Sequence, residues 1–321
     1  MAAVEGIEVL SPGLQTTIQD LGRFGFGRYG VPPSGALDSF SLRIANRLVD
    51  NPEDQAGLET TLMGLRFKVL NDVCIAVTGA NLRPQVNQRP LEMWRSHVLK
   101  KDEILSFAGP ESGCRAYVAF GGKLKVLPLL GSLSTNLPAG FGGFEGRPLQ
   151  KGDVLHVDSP TLKLAAAGRE LRPQWIPEYP STWTLRIVWG PQDGDFTDKG
   201  KRIFTNTLYA VSPQSDRTGI RLNGPEIARK SHTAESIISE GVISGSIQVP
   251  GDGKPIIILG ETVTGGYRKI ATVASADLPL LGQIKPGDKI KFAAISLEEA
   301  HRALAEMESK INSLKEKLKA G

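Results

Sequence analysis

A chain of 321 residues is long enough for two domains with real cores, and its apolar (40 %) and charged (22 %) fractions are those of an ordinary globular protein. The net charge of +4 is spread along the chain, with no basic tract interleaved with aromatics, which argues against nucleic acid as a partner. No apolar run approaches the ~18 residues needed to span a bilayer, and MAAVEGIEVL has no signal-peptide pattern, so no membrane role and a cytoplasmic location are expected.

Ile7 to Leu10 alternates and ends at Ser11-Pro12-Gly13, a short strand and a turn; Thr16 to Leu21 reads as a second strand. A polar loop follows, with Gln19, Asp20, Arg23, Arg28 and Ser34 set among glycines and two prolines. Glycines permit unusual backbone angles and prolines stiffen, so a long loop of this kind reads as one wall of a binding site. Gly25-Phe26-Gly27-Arg28-Tyr29-Gly30 matches G-x-G-x-x-G, but Val31-Pro32-Pro33 follows where a helix is required, which sets a dinucleotide site aside. Leu37 to Val49 has helical spacing, with Ser34 or Asp38 to cap it and Asn51-Pro52 to stop it. Its N-terminus is a candidate site for a carboxylate or phosphate.

Glu53 to Leu58 reads as a short helical piece. From there to Val157 short apolar runs (LRFKVL, VCIAVTG, MWRSHVL, EILSF, CRAYVAF, DVLHV) alternate with turns, which predicts a barrel or sandwich. Cys74 and Cys114 lie inside two of these runs and read as buried, reduced thiols. Gly131 to Pro148 is a second glycine-rich polar loop, whose Ser132, Ser134, Thr135, Asn136 and Arg147 are suited to face the same site.

The composition changes across GRELRPQWIPEYPST, giving an N-terminal barrel-like domain (1–168), a linker (169–184), a second domain (185–295) and a C-terminal helix (296–321). The second domain carries a strand TLRIVWGPQ, a short helix over Asp198–Thr207 and the polar stretch SPQSDRTGIRLNG. A hairpin turn at Pro250-Gly251-Asp252-Gly253, the stretch GETVTGGY and a short helix in ASADLPLLGQI follow. In the tail, Ser296 and Glu299 form a capping box. Leu297, Ala300, Leu304, Met307, Ile311, Leu314 and Leu318 repeat as a coiled-coil seam, equally suited to packing back on the body or to self-association.

His97, His156, His232 and His301 are scattered, so no metal is expected, and H-E-x-x-H, G-x-S-x-G and P-loop motifs are absent. The dense polar stretches offer Asp20, Asp38 and Glu240 as proton-handling carboxylates. They offer Arg23, Arg217 and Arg221 as clamps for a carboxylate or phosphate. Each of these residues taken alone reads first as a surface or loop-bracing residue and only second as part of a site.

The ordered set TTIQDLGRFGFGRYGVPPSGALDSFSLRIANRLV, LETTLMG, AYVAFGG, GSLSTNLPAGFGGFEGRPLQKGD, SDRTGIRLNGPE, SEGVISGSIQVPGDGKPIIIL and TGGY resembles the biotin-dependent carboxyltransferase, or allophanate hydrolase subunit 2, family from about Gly13 to Phe292. The resemblance implies a mainly β chain of two cyclophilin-like β-barrel domains with a few short helices; the coiled-coil-like tail lies outside it. It implies site residues Asp20, Asp38 and Glu240 for catalysis and Gln19, Arg23, Ser34, Arg217, Gln248 and Tyr267 for substrate. Relatives often read Asp-x-Gln-Thr-Thr-Gly-Gly-Tyr where this chain has Gly260 to Tyr267 with Glu261 and Val263, so a different substrate or the use of Glu261 is foreseen.

The preferred activity implied is that of one component of an ATP-dependent 5-oxoprolinase, opening a cyclic amide. The chain would act with two partner subunits, one of them KipI-like, and with ATP and Mg at a site shared with a partner. One alternative is the carboxyltransferase component of a biotin-dependent, urea-carboxylase-type system, with biotin carried by another chain. The other is a regulatory antagonist of a KipI-like kinase inhibitor.

Overall fold

The computed structural model describes residues 3–158, 160–231 and 233–315. The chain divides into two units. One holds the chain up to Arg23, Ser34–Tyr179 and the chain from Lys310; the other holds the excursion Phe24–Pro33 together with Pro180–Ser309. As the composition predicts, the chain is mainly β.

In the first unit two antiparallel sheets enclose one core. The seven-stranded sheet runs Lys123–Leu124, Val154–Asp158, Ala3–Pro12, Leu65–Val69, Ile104–Phe107, Pro84–Val86, Arg89–Pro90 in spatial order. The five-stranded sheet runs Gln15–Gln19, Gly57–Thr61, Ser112–Phe120, Val73–Asn81, Ser96–Leu99. Ile7, Val9, Phe67 and Val157 of the first sheet meet Ile18, Ile75, Val77, Val118 and Phe120 of the second in a fully or nearly fully buried cluster. The apolar runs around Cys74 and Cys114 lack polar alternation because the five-stranded sheet is covered on both faces. Its far side carries helix α1 (Ser39–Leu48), where Thr78 Oγ1 donates to the Ser41 carbonyl at 2.8 Å. Both cysteines are buried and neither is in a disulfide.

Helix α1 begins at Ser39 because Asp38 caps it, its carboxylate accepting from Ser41 N at 2.9 Å. The segment after it is a turn followed by the strand Gly57–Thr61, not the expected helical piece over Glu53 to Leu58. The carbonyls of Glu53 and Gln55 accept from the Asn46 side chain at 3.3 and 2.6 Å, and the Glu53 carboxylate is bound by Arg43 and Arg47. These partners on α1 replace the i→i−4 bonds that a second helix would need.

The second unit is a closed seven-stranded barrel, in the order Thr182–Trp189, Arg268–Val273, Ser246–Val249, Ile256–Ile258, Gly219–Asn223, Tyr209–Val211, Lys289–Ala294. The parallel pairing of Thr182–Trp189 with Lys289–Ala294 closes it. Alternation fills the interior with Leu185, Ile187, Ile247, Ile257, Ile270, Ile290 and Phe292. Helix α2 (Asp198–Asn206) packs on Lys289–Ala294 through Phe204, stacked on Phe292 at 4.4 Å between centroids. The expected hairpin at Pro250–Gly253 joins Ser246–Val249 to Ile256–Ile258. A two-stranded ribbon, Glu240–Gly241 with Thr264–Gly265, stands outside the barrel.

Helix α3 (Leu297–Lys315) starts with the reciprocal bonds of a capping box, Ser296 N to Glu299 Oε2 at 2.7 Å and Glu299 N to Ser296 Oγ at 3.2 Å. Of its seam, Ile311 and Leu314 are buried within the chain and Leu297 is exposed; Leu318 lies outside the described residues. Arg47 donates to the Ile311 carbonyl, and the Lys310 ammonium sits 5.2 Å from the centroid of the Trp175 ring. The described end of the helix thus packs back on its own chain.

Candidate functional site

Four of the predicted residues converge in the first unit, but on one another. Gln19 is fully buried; its Nε2 donates to Thr17 Oγ1 and the Thr135 carbonyl, and its Oε1 accepts from Gly35 N at 3.1 Å. Asp20 accepts from Gly22 N, Ser132 Oγ, Leu133 N and Ser134 Oγ at 2.7, 2.7, 2.6 and 2.5 Å. Three of those bonds end on Oδ1 and one on Oδ2. Arg23 is 2 % exposed. It donates to Ser34 Oγ at 3.1 Å and to the Ser134 carbonyl, and lies 4.8 Å from the Phe141 ring centroid. Asn136 also donates to Ser34 Oγ, so Ser34 joins Arg23 to Asn136 within the first unit.

The candidate anion site at the start of α1 is occupied by the chain itself. The N–H groups of Gly35, Ala36, Leu37 and Asp38 donate to Gln19 Oε1, the Asp20 carbonyl, Glu59 Oε2 and Tyr117 Oη. Tyr117 Oη in turn donates to Glu59 Oε2 at 2.7 Å. Burial first, and then the neighbouring Glu59 and Asp38 charges, push the Tyr117 hydroxyl well above its ordinary pKa, so it stays a proton donor. Ser41 Oγ and, more weakly, Tyr179 Oη approach the Asp38 carboxylate at 2.6 and 3.5 Å. Sequence reading treats Tyr117 as part of an apolar run; its hydroxyl becomes visible only when the sheet sets it beneath α1.

The remaining predicted residues belong to the barrel. A cleft of about 550 Å³ opens on its outer wall, over the strands Gly219–Asn223, Ile256–Ile258 and Gln248 of Ser246–Val249. Ile256, Ile258, Pro250 and Pro255 supply an apolar floor; Thr218, Asn223, Thr262, Thr264 and Tyr267 supply hydroxyl and amide groups. Gln248 Nε2 donates to the Tyr267 carbonyl at 3.3 Å, and the amide lies where a Cβ on Gly265 would have to be. The three candidate arginines separate here. Arg217 is 3 % exposed and spent on the buried Glu261, with Nε and Nη2 at 3.0 and 2.9 Å from Oε1. Arg221 is exposed, lines the cleft, and its guanidinium makes no hydrogen bond or ion pair with the described residues. Glu261, the departure from the related motif, braces Arg217 and does not line the cleft.

Glu240 sits on the ribbon next to the cleft wall. The Lys269 ammonium first of all holds its carboxyl below the usual carboxylate range against desolvation, with a lesser contribution from the Gln192 amide at 2.7 Å. Of the rim, Asn223, Lys254 and Thr262 fall within polar stretches of the sequence but are not marked individually, because strand alternation and a hairpin bring them together. Among the described residues no three His, Cys, Asp or Glu side chains cluster as a metal site; His232 lies outside them.

Comparison with known proteins agrees with this architecture. The family model described as "Carboxyltransferase domain, subdomain A and B" matches residues 29–294. The C subunit of 5-oxoprolinase from Escherichia coli is 34 % identical over 298 residues, covering 92 % of this chain and 94 % of that one. The urea amidolyase of Lachancea kluyveri is 34 % identical over 333 residues, 96 % of this chain and 18 % of that one. The crystal structure of Kluyveromyces lactis urea carboxylase superposes with a TM-score of 0.87 at 31 % identity, covering 100 % of this chain and 30 % of that one. With sequence and fold shared over nearly its full length, the chain belongs to the carboxyltransferase-domain family.

Proposed function

We propose that this chain is one component of a cytoplasmic, ATP-dependent 5-oxoprolinase, working with two partner subunits, one of them KipI-like. The observation that carries the reading is similarity to the C subunit of 5-oxoprolinase over 94 % of that protein's length. In this reading the barrel cleft takes the small cyclic amide. Arg221, unpaired among the described residues, binds its carboxylate; Gln248 and Tyr267 face the ring amide. ATP phosphorylates the amide carbonyl oxygen, and water then opens the ring. The N–H groups that precede α1 are satisfied by Gln19, Asp20, Glu59 and Tyr117, which does not fit a triphosphate, so we assign nucleotide and Mg to a partner chain. Asp20, Arg23, Ser34 and Arg217 act as braces.

A second reading, a carboxyltransferase component served by a biotin carrier on another chain, draws on the family model and on the urea carboxylase likeness. The test is formation of glutamate and ADP from 5-oxoproline and ATP by this chain alone and with its partner subunits. Turnover only in the assembled mixture supports the first reading. No turnover by the assembled complex, with carboxyl transfer from a biotinylated carrier instead, supports the second.

A further inference from the structure

The first unit has its own cavity of about 550 Å³, whose lining includes Tyr179, the residue that approaches Asp38. The strands Val73–Asn81 and Ser112–Phe120 form one wall, where their register shifts between Ser112 and Ala116 and Gly79 and Gly113 both have positive φ. Bulges of this kind re-aim side chains and are common beside binding sites. Met93, Trp94 and Ile176 are among its apolar lining residues. Trp94 has φ +59, a conformation that a bulky residue keeps only when its surroundings enforce it. Here Trp94 N donates to the Val77 carbonyl and its own carbonyl accepts from Leu171 N.

The same lining carries one cation and one anion, Arg83 and Glu111, both exposed. Arg83 is anchored through Nε and Nη2 to the carbonyls of Gly109 and Ala108, at 3.2 and 3.4 Å. Glu111 is anchored through Oε2 to Asn81 Nδ2 at 3.1 Å. Asn81 lies between them, its Oδ1 accepting from Arg83 N at 2.9 Å. Arg83 Nη1 and Glu111 Oε1 have no partner among the described residues, and the two side chains form no ion pair with each other. Fixing each through neutral groups leaves one donor edge and one acceptor edge on the lining of the same cavity.

We propose that this cavity is a second small-molecule site, separate from the barrel cleft, and that it binds a free α-amino acid with an apolar side chain. Arg83 takes the carboxylate, Glu111 the ammonium, and Met93, Trp94 and Ile176 the side chain. The proposal does not depend on the 5-oxoprolinase reading.

Calorimetric titration of the full chain with L-phenylalanine tests it, with phenethylamine and 3-phenylpropionate as probes that keep one charge each. Saturable binding of L-phenylalanine is expected, at least about tenfold weaker for either single-charge analogue, for Arg83→Ala and for Glu111→Gln, and unchanged in Arg221→Ala. The conservative Glu111→Gln keeps the hydrogen bond with Asn81, so its loss of binding reports charge and not misfolding. No saturable binding of L-phenylalanine, equal binding of the analogues, or full binding by both Arg83→Ala and Glu111→Gln overturns the proposal.

Discussion

Arg23 is consumed by Ser34, the Ser134 carbonyl and the Phe141 face; Arg217 is consumed by Glu261; Arg221 is left facing the cleft. Residue type and neighbouring glycines mark all three arginines, and only burial separates a brace from a ligand-binding group. The same holds for Asp20, which accepts one bond from Gly22 within the first polar loop and three that tie it to the Ser132–Ser134 loop. Replacing Asp20 with Ala strands several buried donors and is expected to destabilise the first unit by about 3 kcal/mol, read as a lower denaturation midpoint. An unchanged midpoint would show that water or other groups satisfy those donors. Cys74 makes a second test of a single residue. Burial pushes its thiol up to about 12, so the native protein should not react with a thiol reagent at pH 8, while the denatured chain titrates both cysteines.

Among the secondary-structure elements, regular pattern reads well and side-chain capture reads poorly. The period of α1, the hairpin at Pro250–Gly253 and the capping box of α3 each depend on local spacing, and each is visible in the sequence. The segment after α1 misleads because Glu53 answers to Arg43 and Arg47 across a turn. Burial raises the Glu53 carboxyl, but the bonds from Arg47 and Arg43 outweigh it and hold it below the ordinary 4.5. A folded-state value below the unfolded one adds stability above pH 4.5 that is lost as pH falls through the folded value. Glu53→Gln should therefore lower stability at pH 7 by about 1 kcal/mol, read as a lower melting temperature, and lose that deficit as pH falls through the folded-state value. A deficit independent of pH would mean that the turn relies on shape and not on the ion pairs. In the barrel, Gly265→Ala puts a methyl group where the Gln248 amide lies. Because that obstacle is the end of a flexible side chain, activity should fall while the melting temperature holds; an equal loss of both would place Gln248 among the structural residues.

For the molecule as a whole, the mainly β architecture is legible because strand runs and turns alternate over most of the chain. Convergence is not, since it depends on contacts as distant as Asp20 with Ser134 or Arg217 with Glu261. The polar stretches expected to share one site resolve into a self-satisfied hub in the first unit and a cleft on the barrel wall. If the chain works as proposed, Arg221 in that cleft holds the substrate carboxylate. The decisive experiment is the KM for 5-oxoproline of the assembled complex carrying Arg221→Ala, beside Arg221→Lys and the unaltered chain. Loss of a charge-assisted hydrogen-bond pair predicts a rise in KM of about tenfold or more for Ala, partly recovered by Lys, in a complex that assembles normally. An Arg221→Ala complex with an unaltered KM would move the substrate out of the barrel cleft and leave Arg221 an ordinary surface residue.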